Sequence, residues 1–230
     1  MSAAMRVMSV AMAIALGGCA VAPQSPVPLS PSATDPGNGR VGIAMTALPK
    51  SEVLILGADC LLCYVFASGA NSALDSHAKT LPQEDLPKLK EEVAGLLRKK
   101  GANVVVIPEF LDMNALPNSR GEGANLARKD FSTLQKKYNV DKLLVINIVS
   151  VGFLRTYSAY VPTSDPKGSM RGAGFMVNLK SNTYEWYLPL DIARSADRNW
   201  DEPPKFPGLT NAYFQVLEVG KDSLLKPFGN

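Results

Sequence analysis

Histidine is almost missing from this chain: His77 is the only one among 230 residues. A metal centre built on two imidazoles is therefore excluded, and so is any relay between histidines. His77 has Asp75 and Ser76 beside it, but chain neighbours rarely converge as a hydrolase triad does, so it reads as a solvated loop residue. An excess of one charge is missing too, since 24 Lys and Arg face 21 Asp and Glu for a net charge of +3. So even a balance gives no global field for nucleic acid. Beyond the amino-terminal segment no apolar run approaches the roughly 20 residues of a membrane-spanning helix. No internal repeat is present, and Gly121-Glu-Gly123 lacks the Gly-Lys-Ser/Thr that would make it a phosphate loop. Cysteine occurs three times, as Cys19, Cys60 and Cys63.

What is present begins at the amino terminus. Arg6 precedes an apolar run over residues 7–16, a positive start and a short core of the kind that directs secretion. Leu16-Gly17-Gly18-Cys19 follows and resembles the lipobox of bacterial lipoproteins. That resemblance implies a signal peptide over 1–18, cleavage before Cys19, a diacylglycerol on its sulfur and acylation of the new amino terminus. Ala20 stands where an Asp would favour inner-membrane retention, so the resemblance implies the outer membrane, with the folded part facing the periplasm. Membrane contact then rests on lipid, and several acyl chains hold far better than one.

Residues 20–49 are rich in Pro, Ser and Gly with little to bury. Such a segment does not recover its ordering entropy by packing. Residues 19–50 are thus expected to be a lipidated Cys and a tether holding the domain away from the membrane, with 51–230 a single periplasmic domain.

In that domain, residues 53–56 read as a buried strand. A helix over 85–100 follows, striped by Leu86, Leu89, Val93, Leu96 and Leu97, with Pro87 in its first turn and Gly101 behind it. Residues 103–107 make a strand expected to stop at Pro108. Ala127, Phe131, Leu134 and Tyr138 stripe a second helix, and residues 142–151 are apolar enough for a central strand covered on both faces. Residues 171–180 and 184–192 alternate as antiparallel strands, with Pro189 marking an edge or bulge. A last helix runs over 209–225. The expected class is mixed α/β, in the order β-α-β-α-β-β-β-α, with antiparallel hairpins and about three packed helices. This order over 51–228 resembles the amino-terminal domain of TolB and the CsgG-like and penicillin-binding-protein-activator lipoproteins. The resemblance implies a non-enzymatic accessory that binds or scaffolds an envelope protein, with no cofactor and no nucleic acid.

Two places carry candidate chemistry. Cys60-Leu61-Leu62-Cys63 follows a strand, and an exported protein meets an oxidising compartment, so the two thiols are expected to pair or to be redox active. The apolar dipeptide between them points to a buried structural bond. The arrangement also resembles thioredoxin-like oxidoreductases, which would make Cys60 and Cys63 an exchanging pair, though residues 139–142 lack the proline of that family. The second place is the proline-stiffened loop with Trp200, Asp201, Glu202 and Phe206. It is either a recognition surface or a cap folded over the core.

Overall fold

A computed structural model describes residues 23–229; the expected signal segment and Cys19 lie outside the described residues. Seven strands and five α-helices follow in the order β1 (Arg40–Met45), β2 (Glu52–Leu56), α1 (Leu61–Ala70), α2 (Ser72–Ala78), α3 (Leu89–Lys99), β3 (Asn103–Phe110), α4 (Ser132–Tyr138), β4 (Lys142–Ser158), β5 (Val161–Pro162), β6 (Lys167–Asn178), β7 (Thr183–Ser195) and α5 (Pro207–Gly229). The mixed α/β class holds. Every expected element is present, joined by β1, β5, α1 and α2.

β4 organises the sheet, whose order is β3-β1-β4-β6-β7. Its first half pairs in parallel with β1, from Val41 opposite Lys142 to Met45 opposite Ile146. Its second half pairs in parallel with β2, from Glu52 opposite Gly152 to Leu56 opposite Thr156. β1 and β2 thus lie one after the other along the same edge of β4, and β6 runs antiparallel along the other. The register slips between Ile148 and Ser150, leaving Val149 60% exposed. This bulge changes which residues face which layer. Before it, Leu144, Ile146 and Ile148 face α3 and α5, while Leu143 and Val145 face α4 and the 111–131 segment. After it, Val151 and Phe153 take over the α3–α5 face.

β1 corrects the expected tether. Val41, Ile43, Ala44 and Met45 are buried. Gly42 fits because a Cβ there would press on Leu143, Val140 and Ile107 side chains. Averaged with its Pro-rich surroundings, so short and small-residue a strand has no signature. The chain ahead of it is also held: Val27 and Tyr187 exchange two backbone hydrogen bonds of 2.9 Å. Lys142 Nζ donates to the Ala33 carbonyl at 3.1 Å and lies 2.8 Å from Glu185 Oε2. The folded unit therefore starts well before residue 51.

Other boundaries moved as well: the helix expected from 85 begins at Leu89 after a 3-10 turn over Leu86–Lys88, and β4 continues past 151 to Ser158. β3 runs through Pro108 because it is an edge strand, where a missing N–H need not cost a ladder bond. α4 starts at Ser132 instead of near 127, since Asn182 holds the segment before it: its Oδ1 accepts from Phe131 N–H at 3.0 Å and its Nδ2 donates to the Lys129 carbonyl at 2.9 Å.

Candidate functional site

At the end of β4 farthest from Lys142, the chain leaves β2 through Gly57, whose φ is +81°. A side chain there would collide with the Tyr157 carbonyl. Three residues later Cys60 caps α1, its Sγ accepting from the Cys63 N–H at 2.9 Å. Cys60 and Cys63 form a disulfide with Cα atoms 5.0 Å apart.

α1 meets the sheet through a narrow stripe. Cys63 and Ala67 pack with Ala58 and Tyr157 in a small cluster apart from the two main cores. Asn71, also buried, continues the stripe, its Nδ2 donating to the Ala67 carbonyl and to Tyr157 Oη, each at 2.7 Å. Because only small residues face inward, the large ones face out. Leu61 is 80% exposed and Leu62 68% exposed, with Tyr64, Val65 and Phe66 beside them. This corrects the expectation that the Leu-Leu dipeptide is buried: only Cys63 is, and the dipeptide lies on the outer side of the helix start. Tyr160 and Val161, at the β4–β5 turn, extend the apolar surface, with Tyr160 edge-on to Phe66 and its hydroxyl 3.8 Å from Cys60 Sγ. No charged residue occurs between Cys60 and Leu74. Apolar surface of this extent is costly to leave in water and marks contact sites.

Beside this surface lies a groove of about 410 Å³ between β2 and the α1–α2 pair, lined by Val53, Ile55, Tyr64, Ser68, Ser72 and Asp75 among others. Asp75 Oδ1 accepts from the Val53 N–H at 3.1 Å, and Lys79 Nζ bonds the other oxygen. Partial burial pushes the Asp75 carboxyl up, but those two hydrogen bonds and the Lys79 charge outweigh it and hold it below the ordinary 3.8.

The 200–206 loop does not meet the cysteines. Trp200 and Phe206 fold back, stacked with centroids 6.3 Å apart and against the α3–α5 core, while Asp201 stays at the surface and Glu202 is half-buried. Arg155 connects the two places: its guanidinium lies 4.8 Å from the Trp200 ring, and its Nη1 donates to Asn71 Oδ1 at 3.0 Å. His77 is not a loop residue. It sits half-buried in α2, Nε2 2.8 Å from Thr210 Oγ1 and its ring 5.6 Å from Phe206. Burial, and then the nearby Lys205 charge, hold its pKa below 6.5.

Chemically, the arrangement offers an apolar face, a polar groove and an accessible disulfide. Cys60 is exposed and begins a helix while Cys63 is buried, an asymmetry that would make Cys60 the sulfur open to attack. Neither turn of α1 carries a charged side chain to stabilise a thiolate further. Among the described residues, no group of three or more His, Cys, Asp and Glu is placed to hold a metal ion. No helix among them is long and apolar enough to cross a membrane.

No family model and no curated protein matches the chain. Among solved structures, similarity extends to the PelC dodecamer of Paraburkholderia phytofirmans (TM-score 0.32, 8% identity, 90% of this chain and 94% of that one). The hypothetical protein CT253 of Chlamydia trachomatis is similar at TM-score 0.29 and 11% identity, over 82% of this chain and 98% of that one. A putative neuraminyllactose-binding hemagglutinin homologue of Helicobacter pylori gives 0.27 and 11%, over 85% and 90%. At these scores the likenesses carry no functional argument.

Proposed function

We propose that this protein is a lipid-anchored, non-enzymatic protein of the outer membrane whose α1 end docks another envelope protein. The observation that carries the reading is the exposure of Leu61, Leu62, Tyr64, Val65, Phe66, Tyr160 and Val161 at one end of the protein, around a helix that itself carries no charged side chain. The lipobox-like residues ending at Cys19 supply the anchor. Because Val27 is already bound to β7, the eight-residue step from Cys19 extends at most about 28 Å, so the domain lies close to the bilayer. A photo-crosslinking residue at position 62 or 66 in intact cells is expected to trap one protein partner, and the same residue at position 122 none. Trapping only lipid, or nothing, overturns the docking reading. Cys19→Ser is expected to release the protein from the membrane fraction or leave it unprocessed, and unchanged fractionation overturns the anchor.

A second reading is favoured by one observation, the exposed Cys60 paired with the buried Cys63. In thiol–disulfide exchange a substrate thiolate attacks Cys60 Sγ and expels Cys63 as a thiolate. A second substrate thiolate then resolves the mixed disulfide, leaving oxidised substrate and the Cys60/Cys63 dithiol. Oxidation of a dithiol peptide that disappears in Cys60→Ser is the result that promotes this reading over docking.

A further inference from the structure

We infer that the protein stands on the anionic membrane surface through the end of the fold where its amino-terminal chain leaves, a basic face formed by the β6–β7 turn and the 119–128 segment. The inference rests on the anchor reading. It adds which face meets the lipid headgroups, and so which way the apolar surface of α1 points.

Where the chain leaves is fixed by its first described residues. Gln24 Nε2 lies 3.5 Å from Asn125 Oδ1, and the Asn125 carbonyl accepts from the Tyr184 N–H at 2.7 Å. Thr183, next to Tyr184, is opposite Asn178, which is opposite Lys142. Gln24 therefore sits by the start of β4. The chain from Cys19 to Gln24 extends at most about 17 Å. Cys63, in α1, packs on Tyr157 near the other end of β4. Allowing for the bulge, that is about 45 Å along the strand. The leash is shorter than the domain, so a lipid on Cys19 holds the Gln24 end near the bilayer and leaves the α1 end unheld.

Charge decides how the held end sits. Asn182 joins its two parts: Nδ2 donates to Ser119 Oγ at 3.3 Å, and its carbonyl accepts from the Ala127 N–H at 2.8 Å. Arg120 and Arg128, each next to one of those contacts, are thereby brought to the turn that carries Lys180, and all three are exposed. Lys99 and Lys100 finish α3 at the same level, since Asn103 just beyond them is opposite Arg40, and Val41 is opposite Lys142. Against these five exposed cations stand Asp35, Glu122 and Asp141, and one oxygen of Asp141 accepts from the Arg40 N–H at 2.7 Å. Lys129 and Asp130, both half-buried, offset one another. The face is thus net positive. The α1 end has the opposite character, with no charge from Cys60 to Leu74, Asp59 ahead of it and Asp165 between β5 and β6. Cations held within a Debye length of a bilayer are drawn to anionic headgroups. The domain then stands on its basic end, with α1 directed away from the bilayer and open to a partner in the periplasm.

The test uses the lipidated mature protein in phosphatidylcholine vesicles with and without phosphatidylglycerol. A photo-crosslinking residue at position 181, in the β6–β7 turn, is expected to trap lipid, and the same residue at position 62 to trap none. Adducts at 181 are expected to fall by about fivefold or more when phosphatidylglycerol is omitted, and likewise in Arg120→Glu/Lys180→Glu, since each cation near an anionic surface is worth about fivefold. Arg194→Glu/Arg198→Glu, exposed toward the other end of the sheet, is expected to leave them unchanged. Should the first double variant fail to fold, the dependence on phosphatidylglycerol decides alone. Lipid adducts at 62 that match those at 181 overturn the inference. So do adducts at 181 that ignore phosphatidylglycerol, or that ignore the double substitution in a folded variant. A protein trapped at 181 in intact cells, in place of lipid, assigns this face to a partner and overturns it as well. No lipid at 181 while Cys19→Ser still releases the protein overturns the orientation and leaves the anchor standing. Unchanged fractionation of Cys19→Ser removes the anchor reading itself, and this inference with it.

Discussion

The two halves of β4 treat the same kinds of side chain in opposite ways. In the first half the strand lies between β1 and β6, and both its faces are buried under helices and loop. Phe131 is wholly buried there, edge-on to Phe175. Past the bulge at Val149, α3 and α5 still cover one face, and the strand ends in a four-residue cluster of Ala58, Cys63, Ala67 and Tyr157. Phe66, a few residues from that cluster, is left exposed. Apolar character in the first half therefore stabilises the fold, whereas at the α1 end it is exposed surface.

The sharpest way to break this comparison is to remove one phenylalanine from each end. Phe131→Ala should cost about 4 kcal/mol through lost burial and an unfilled cavity. Phe66→Ala should stay within about 0.5 kcal/mol, as exposed substitutions do. Chemical denaturation of both variants measures the difference, and equal losses would mean that α1 is packed against a core after all. Lys142→Ala should come next, at about 3 kcal/mol, because it leaves Glu185 without its cation and the Ala33 carbonyl without its donor. Faster hydrogen exchange at the Val27 amide in the same variant would show that the amino-terminal segment is held by this contact.

Replacing Cys60 and Cys63 together by Ser should cost about 2 kcal/mol, the loop-closure value for so short a ring, read by the same denaturation experiment. Its effect should be local, with exchange accelerating in α1 and α2 and hardly at all in β1. The smallest expected effect is a pH dependence. His77 has its folded pKa held below 6.5 by burial and Lys205, so the stability it contributes is present above pH 6.5 and is lost as pH falls through the folded value. Asp75, held below 3.8, adds a loss of the same sign at lower pH. Thermal stability should decline between pH 7 and 5 in the parent protein, and His77→Gln should flatten that decline while leaving the acid limb in place.

Much of the fold was legible because its elements bury one stripe. The 3.6-residue spacing of Leu86, Leu89, Val93 and Leu97 placed α3, and the alternation from Tyr184 to Ile192 placed β7, with Pro189 on the outermost strand as an edge requires. β1 escaped because it is six residues long and Gly42 and Ala44 break its apolar run, Gly42 where Leu143, Val140 and Ile107 crowd in. α1 and α2 escaped because their inward stripe is Cys63, Ala67, Asn71, Leu74 and Ala78. In α1 the large apolar residues point outward, which inverts the usual pattern, and α2 has Leu74 as its one large apolar residue. The sequence places the two cysteines and their apolar neighbours side by side, but nothing in it distinguishes a buried Leu61-Leu62 from an exposed one.

By itself the sequence determined the mixed α/β class, the approximate places of its eight main elements and the nearness of Cys60 to Cys63 at a strand-to-helix junction. These are local properties, set by residue spacing and by backbone preferences that act within a turn or two. Only the tertiary structure decided that residues 40–45 complete the sheet, that Trp200 and Phe206 turn inward, and that the face of α1 carrying Leu62 and Phe66 turns to solvent. Each of these depends on which surface happens to lie opposite in space, and burial is a property of that pairing, not of the side chain alone.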